Sequence, residues 1–362
     1  MKKMVIDRNT NIELLRILAS VGVILIHYNS IAHSNIYVNN LTRYYLCGLD
    51  IIADCSVNLF IIISGFFLGS TEDRKMTKVA YLMAQFVFFR STLYILMSIV
   101  DGTRLGVVNI LNLFLPVNYF IILYAVLYIV SPYINIMIYN LNIKEFKKFL
   151  FLLFMLFSVE TWLVDVLERI TDSSYMGLSS LGLHGSQNGF TIVNFILCYC
   201  IGVYVRRNYE SIQKMSSSIL FAVLILLFVL LSLMNLAKYV INIDFATLNY
   251  NNPLIIILAT IIYILFCRIK INSVFINRIA KASFTCFILH SSFLPYCRIE
   301  KAVNSSILIL IIHQVIVAVG LYMLSYVVFL LYDRVLCNVC IHGYKFVRKT
   351  VINQITQYSR RR

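Results

Sequence analysis

The stretch NIELLRILASVGVILIHYNSI, residues 11–31, decides the class of fold. It is mostly apolar and as long as the roughly 20 residues that a helix needs to cross a bilayer. Similar blocks recur along the chain, so that 60% of its 362 residues are hydrophobic and 13% are charged. Soluble domains carry about 25% charged residues. The composition therefore excludes a soluble globular protein and indicates an integral membrane protein.

Ten such blocks predict an all-α, polytopic membrane protein with about ten transmembrane helices around a central polar cavity. We divide the chain into a transmembrane domain, residues 1–335, and a basic cytoplasmic tail, residues 336–362. The predicted spans are 11–31, 48–70, 79–100, 118–140, 147–168, 189–205, 216–238, 250–268, 282–298 and 305–332.

The charges of the loops predict the orientation of these spans. With the N-terminus inside, 23 of the 31 Lys and Arg residues fall in inner segments, 6 in outer loops and 2 within spans. Cytoplasmic loops collect Lys and Arg, so both termini are predicted to be cytoplasmic. This distribution accounts for the net charge of +15 without a nucleic-acid partner. The expected partner of the basic surface is the lipid bilayer.

Two polar side chains within the first span indicate a site. Arg16 and His27 are eleven residues apart, which at about 100° per residue is within about 20° of three full turns. They therefore share one helix face, about 16 Å apart along the axis. A charged residue inside a span is costly and indicates function. The structural alternatives are that Arg16 reaches the inner interface and pairs with Glu13, and that His27 is an interfacial histidine bonded to water.

The chemistry of the two residue types suggests a transferase. Histidine can take a proton from a hydroxyl group or carry an acyl group. Arginine binds phosphate through two parallel N–H donors. An enzyme that joins a cytoplasmic acyl-CoA donor to a hydroxyl acceptor at the outer face would need both groups.

Five stretches occur in an order that is typical of one family. They are RNTNIELLRILASVGVILIHY (8–28), SVNLFIIISGFFLG (56–69), NYFIILYAVLYIVSPYIN (118–135), NGFTIVNFILCYCIGVYVRR (188–207) and KASFTCFILHSSF (281–293). Together they resemble the acyltransferase-3 family of multispanning membrane O-acyltransferases, which modify bacterial cell-surface polysaccharides. The first stretch contains the Arg-x10-His pattern of that family at Arg16 and His27.

The resemblance implies roles for particular residues. His27 would be the essential histidine and Arg16 its partner on the donor side. His290 and Glu13 are secondary candidates, and the alternative for His290 is a buried histidine bonded to a neighbour. The residues expected to bind the phosphates of the donor, acetyl-CoA, are Arg16, Arg74, Lys75 and Lys78.

The implied reaction is transfer of an acetyl or other small acyl group from cytoplasmic acyl-CoA to a glycan or a lipid-linked sugar at the bacterial cytoplasmic membrane. No metal is expected, since Cys337, Cys340 and His342 form a set of three ligands without a second pair. The alternative function is a polysaccharide transporter or flippase without transferase activity. Carriers of that kind usually contain internal repeats, and the sequence shows none. The sequence leaves the oligomeric state open.

Overall fold

The computed structural model describes residues 9–34, 39–69, 76–102, 106, 119–175 and 187–359, which form helices and no strand. The prediction of an all-α fold is therefore confirmed. The helices are α1 (Thr10–His33), α2 (Asn40–Leu68), α3 (Met76–Asp101), α4 (Tyr119–Asn140), α5 (Ile143–Phe154), α6 (Glu160–Thr171), α7 (Ile192–Arg207), α8 (Tyr209–Gln213), α9 (Ser217–Val240), α10 (Pro253–Phe266), α11 (Val274–Ile279), α12 (Ser283–Phe293), α13 (Ile299–Val303) and α14 (Ile307–Ser359).

Each of the ten predicted spans overlaps a helix. Within the described residues, six helices are long and apolar enough to cross a membrane: α1, α2, α4, α5 joined to α6, α9 and the Ile307–Arg334 part of α14. A π-helical turn, Met155–Val159, joins α5 to α6 and makes them one span. The remaining predicted spans correspond to α3, α7, α10 and α12. The polytopic architecture is confirmed, whereas the count of ten spans and the cytoplasmic termini stay predictions.

Helix α2 is the central column of the bundle and contacts α1, α7, α9 and α10. Its most apolar window is 78% buried, against 17% to 44% for the other five membrane-spanning candidates. Two glycines set its distance from α7. A Cβ on Gly65 would overlap the carbonyl oxygen of Tyr199, and a Cβ on Gly202 would overlap that of Ile62. Small residues of this kind let helix backbones pack directly on each other in membranes.

Helix α12 is short and lies between α1, α3 and α14. Its eleven residues extend about 16 Å, roughly half of the 30 Å hydrocarbon core. It is bounded by 3-10 turns at Ala280–Ala282 and Leu294–Cys297. The face formed by Ser283, Phe287 and His290 is buried, so α12 presents polar and aromatic groups to the interior of the bundle.

The long helix α14 contains the boundary that we predicted between the membrane domain and the tail. It continues from Ile307 to Ser359 without a break. The side chains of residues 335–359, including those of the predicted Cys337-Cys340-His342 set, lie outside the described part of the structure. The division of the chain at residue 335 stays a prediction.

We expect Gly65→Ala to destabilise the protein by about 1–3 kcal/mol, the usual cost of overpacking, because the new methyl group would meet the backbone of α7. Gly320→Ala is the matched control, since no described atom lies within 4 Å of the added Cβ. That control should be neutral or stabilising by up to about 1 kcal/mol, because alanine favours helix over glycine. Thermal unfolding in detergent measures both, and equal melting temperatures would contradict the close α2–α7 contact.

Candidate active site

A cavity of about 640 Å³ lies among α1, α2, α3, α4 and α12. Its volume falls within the roughly 300–1,000 Å³ of small-molecule sites. The charged groups among its described lining residues are Glu13, Arg16 and Lys281, which we call the charged end. This is the end that the loop charges predict to be cytoplasmic. The rest of the wall is mainly aromatic and aliphatic but includes the polar side chains of Ser64, Gln85 and Ser283. The cavity is therefore charged at one end and mainly apolar elsewhere.

Arg16 forms the ion pair with Glu13 that the structural alternative predicted, and it also lines the cavity. Its Nη1 donates a hydrogen bond to Oε1 of Glu13 at 3.0 Å, as the structural alternative predicted. The guanidinium also lies 5.5 Å from the centre of the Phe67 ring and lines the cavity. Its side chain keeps 32% of its surface exposed. Because a guanidinium has five N–H donors, the bond to Glu13 leaves Arg16 able to bind an anion at the charged end.

His27 and His290 form a pair of rings, which we call the histidine pair. Their centres are 5.0 Å apart and their planes are inclined by 43°. His27 is exposed, whereas His290 is 2% exposed. The structure thus places the essential histidine implied by the resemblance beside the secondary candidate, which is 263 residues later in the chain.

The hydrogen bonds of His290 differ at its two ring nitrogens. Nδ1 lies 3.0 Å from the carbonyl oxygen of Cys286, and since a carbonyl only accepts, Nδ1 carries the proton. Nε2 is buried and has no hydrogen-bond partner among the residues that the structure describes. A buried polar atom of this kind is typical of a catalytic group or of a site for water or a ligand. The alternative of a bonded core histidine therefore accounts for one nitrogen and not for the other.

A layer of phenylalanine rings separates the cavity from the histidine pair. Phe287 lines the cavity one turn before His290, which is a rise of about 4.5 Å along α12. Its ring centre is 6.0 Å from that of His290 and 4.7 Å from that of Phe120, which also lines the cavity. The charged end, the cavity, the rings and the histidine pair therefore follow one another in that order.

A buried polar network holds the end of α1 that carries His27. Asn29 donates to Oδ1 of Asp50 at 2.6 Å, and Nε2 of His33 lies 2.8 Å from Oδ2 of the same carboxyl. Gln314 on α14 donates to Oδ1 of Asn29 at 2.9 Å. The bonds of Asn29 tie α1 to α2 and α14 two residues from His27, so the backbone position of His27 is set by three helices.

The structure describes only part of the set of residues predicted to bind the donor. Arg74 and Lys75 lie outside the described residues, and Lys78 is described only as part of α3. Val79, the next residue, lines the cavity. Lys281 also lines it, although sequence reasoning counted this residue only as a loop charge. Its place at the start of the family-like stretch 281–293 is the signal that could have selected it.

Two carboxyls inside the predicted span 48–70, those of Asp50 and Asp54, are not among the predicted site residues. Asp50 forms the network beside His27. Asp54 is 5% exposed, and its Oδ2 has no hydrogen-bond partner in the described part of the chain. A carboxyl within a span is itself a signal of function, and it could have pointed to both residues.

A second polar cluster, formed around Arg169, joins segments at the end of the bundle that the loop charges predict to be the outer one. Arg169 donates to Asp244 at 2.8 Å and to both Asn188 and Asn249 at 2.9 Å. Lys238 lies 3.1 Å from the same carboxyl of Asp244. Burial by itself would raise the pKa of Asp244, but the two cations outweigh it and hold that pKa below its ordinary value. The cluster links α6 to the segments before α7 and after α9.

A family model described as an acyltransferase domain matches residues 9–332, nearly the whole chain. The chain belongs to the acyltransferase-3 family. The resemblance seen in the five stretches is confirmed, and the protein is a membrane O-acyltransferase. No curated protein and no solved structure matches it. Membership of the acyltransferase-3 family favours the enzyme over the transporter.

We expect Asp244→Asn to lower the thermal stability of this acyltransferase at neutral pH by about 1 kcal/mol, because it removes a partly buried ion pair. The folded-state pKa of Asp244 is lowered, so its stabilisation is present above the unfolded pKa and is lost as the pH falls through the folded pKa. The difference between the two proteins should therefore vanish in acid. Melting curves between neutral and acidic pH test this, with exposed Glu300→Gln as the control. If the difference in stability between the wild type and Asp244→Asn persisted at acidic pH, the ionised carboxylate of Asp244 would not be its cause.

Proposed function

We propose that this acyltransferase moves an acetyl group, or another small acyl group, from cytoplasmic acetyl-CoA to a hydroxyl of a cell-surface polysaccharide or its lipid-linked precursor. Its location would be the bacterial cytoplasmic membrane. The observation that carries the proposal is the order of groups along the bundle: a charged end, a mainly apolar cavity and, beyond it, a histidine pair. Each part suits a different portion of the two substrates.

The charged end suits the phosphates of coenzyme A. Arg16 can bind phosphate oxygens through its planar fork of donors, and Lys281 adds a second cation beside it. Arg74, Lys75 and Lys78 precede the α3 residues that line the cavity, and we assign them to the same role. Burying phosphates would be costly, so the nucleotide stays at this end. The neutral pantetheine arm and the thioester suit the aromatic and aliphatic wall of the cavity.

His27 suits the acceptor because its side chain is exposed and lies beyond the cavity, away from the charged end. As general base it removes the proton of a sugar hydroxyl, whose oxygen then attacks the thioester carbonyl carbon. The carbon–sulfur bond breaks, and the proton held by His27 passes to the departing CoA sulfur. The net products are the O-acyl sugar and free CoA thiol. The same position also allows His27 to carry the acyl group itself before the hydroxyl attacks.

His290 suits a positioning role beside His27. Its Nδ1–H bond to Cys286 fixes the tautomer in which Nε2 is an acceptor. An acceptor 5.0 Å away, between ring centres, can hold and orient the protonated ring that His27 becomes during transfer. Glu13 has a similar supporting role at the charged end, where its bond orients Arg16.

We expect His27→Gln to lower acyl transfer by about 10²- to 10⁴-fold, the range for loss of a general base. His313→Gln is the control, because His313 bonds to Tyr28 next to His27 and lies outside the histidine pair. The measurements are release of CoA thiol from acetyl-CoA and the O-acetyl signal of the surface glycan by NMR. Normal acetylation by a correctly inserted His27→Gln protein would contradict the assignment.

We expect Arg16→Gln to raise the KM for acetyl-CoA by about 10- to 100-fold with a smaller effect on kcat, since a hydrogen bond to a charged group contributes about 1.5–3 kcal/mol. Arg16→Lys keeps the charge without the planar fork, so its KM for acetyl-CoA should lie between those of the wild type and Arg16→Gln. Arg43→Gln is the control, as this arginine lies over Tyr239, away from the cavity. Steady-state kinetics measure all three, and an unchanged KM in Arg16→Gln would place the phosphates elsewhere.

A further inference from the structure

We infer that the rings of Phe60, Phe120 and Phe287, which we call the phenylalanine constriction, decide which acyl groups reach the histidine pair. This inference rests on the proposed function and adds a basis for the specificity of the enzyme for its acyl group. The three rings come from α2, α4 and α12, and all of them line the cavity. No charged or hydrogen-bonding group belongs to the constriction, so it can sort acyl groups only by size and shape.

The ring of Phe120 lies against each of the other two rings. The ring centres of Phe120 and Phe287 are 4.7 Å apart, and those of Phe60 and Phe120 are 6.1 Å apart in an edge-on arrangement. Phe120 is 6% exposed and Phe287 is 8% exposed. Little space is left between Phe120 and either neighbouring ring, so a group that passes between them has to displace a ring.

The constriction stands across the route from the donor to the base. On α12, Ser283 and Phe287 line the cavity, and the next residue on that face is His290, which does not. On α1, Arg16 lines the cavity, whereas His27 lies beyond it. A thioester whose nucleotide is held at the charged end must therefore bring its acyl group past the rings to meet His27.

The ring of Phe120 is supported from behind, which limits how far it can move. Phe120 packs against Phe195 at 5.5 Å and is stacked on Tyr124 at 5.9 Å between ring centres. Close-packed interiors resist such displacement. Hydrophobic pockets discriminate by roughly 10- to 200-fold for each methylene. Acetyl, which has a single methyl group beyond its carbonyl, requires the smallest displacement, so the constriction favours acetyl over longer chains.

Until an acceptor is bound, the same rings hold the thioester within the cavity, apart from the open side of the histidine pair. If they were removed, water could add to the thioester carbonyl carbon. The carbon–sulfur bond would break, and acetate and CoA thiol would leave. The constriction therefore predicts a second measurable quantity, hydrolysis of acetyl-CoA in the absence of a sugar acceptor.

The test compares acetyl-CoA, butyryl-CoA and hexanoyl-CoA as donors for the purified full-length protein. Phe287→Ala should raise the ratio of butyryl to acetyl transfer, as kcat/KM, by about tenfold or more, and Phe287→Leu should raise it less. Phe287→Ala should also raise acetyl-CoA hydrolysis without acceptor. The matched control is Phe89→Ala, which removes the same ring from a fully buried position outside the cavity, against Tyr332.

Each outcome separates the two proposals. Wild-type protein that releases no thiol from acetyl-CoA with its glycan present would overturn the proposed function itself. Wild-type transfer with an unchanged donor ratio in folded Phe287→Ala would overturn the constriction alone. An equal shift in Phe89→Ala would also overturn it, because general loosening of the bundle would then be the cause. If Phe287→Ala does not fold, the ratio of butyryl to acetyl transfer is measured for Phe287→Leu and Phe120→Leu instead. Thermal unfolding checks that these variants are folded, and an unchanged ratio in both would overturn the constriction.

Discussion

The backbone contact between α2 and α7 is the constraint on which the rest of the structure depends. It requires glycine at positions 65 and 202, because a Cβ at either would overlap a carbonyl oxygen of the other helix. Lipid tails are as apolar as the helix surfaces, so helices in a membrane associate through close packing and polar contacts rather than through the hydrophobic effect. Helix α2 thus becomes a buried column, and α1 is positioned on it by contact of Gly22 with Ser56.

The interior that packs around α2 separates the charged side chains from the histidine pair. Charged side chains stand at one end of the cavity, where water can reach them, and the histidine pair stands beyond a layer of hydrocarbon rings. Placing a charged group within that layer would cost several kcal/mol without a partner. The apolar wall therefore favours substrates whose charge is confined to one end. A nucleotide thioester has that distribution, which is why the shape of the cavity and the proposed donor agree.

Contacts within one helix could be predicted from the sequence, whereas contacts between helices could not. The spacing of Arg16 and His27 predicts one helix face, and α1 is a continuous helix across both. The ion pair of Arg16 with Glu13 also follows from spacing, since residues three apart are neighbours on a helix. Contacts between distant segments do not follow in this way. His290 lies 5.0 Å from His27 between ring centres, and Phe120 lies 4.7 Å from Phe287, although each pair is far apart in sequence.

The sequence by itself determined the membrane class, the helical content, the family and the two polar groups of the first span. Those properties depend on composition, local spacing and short motifs, which need no knowledge of neighbours. Only the tertiary structure decided that the cavity is mainly apolar, that Lys281 joins its charged end and that phenylalanine rings separate it from the histidine pair. The physical reason is that helix packing depends on the fit of whole surfaces, and that fit sets which faces of α1, α4 and α12 meet.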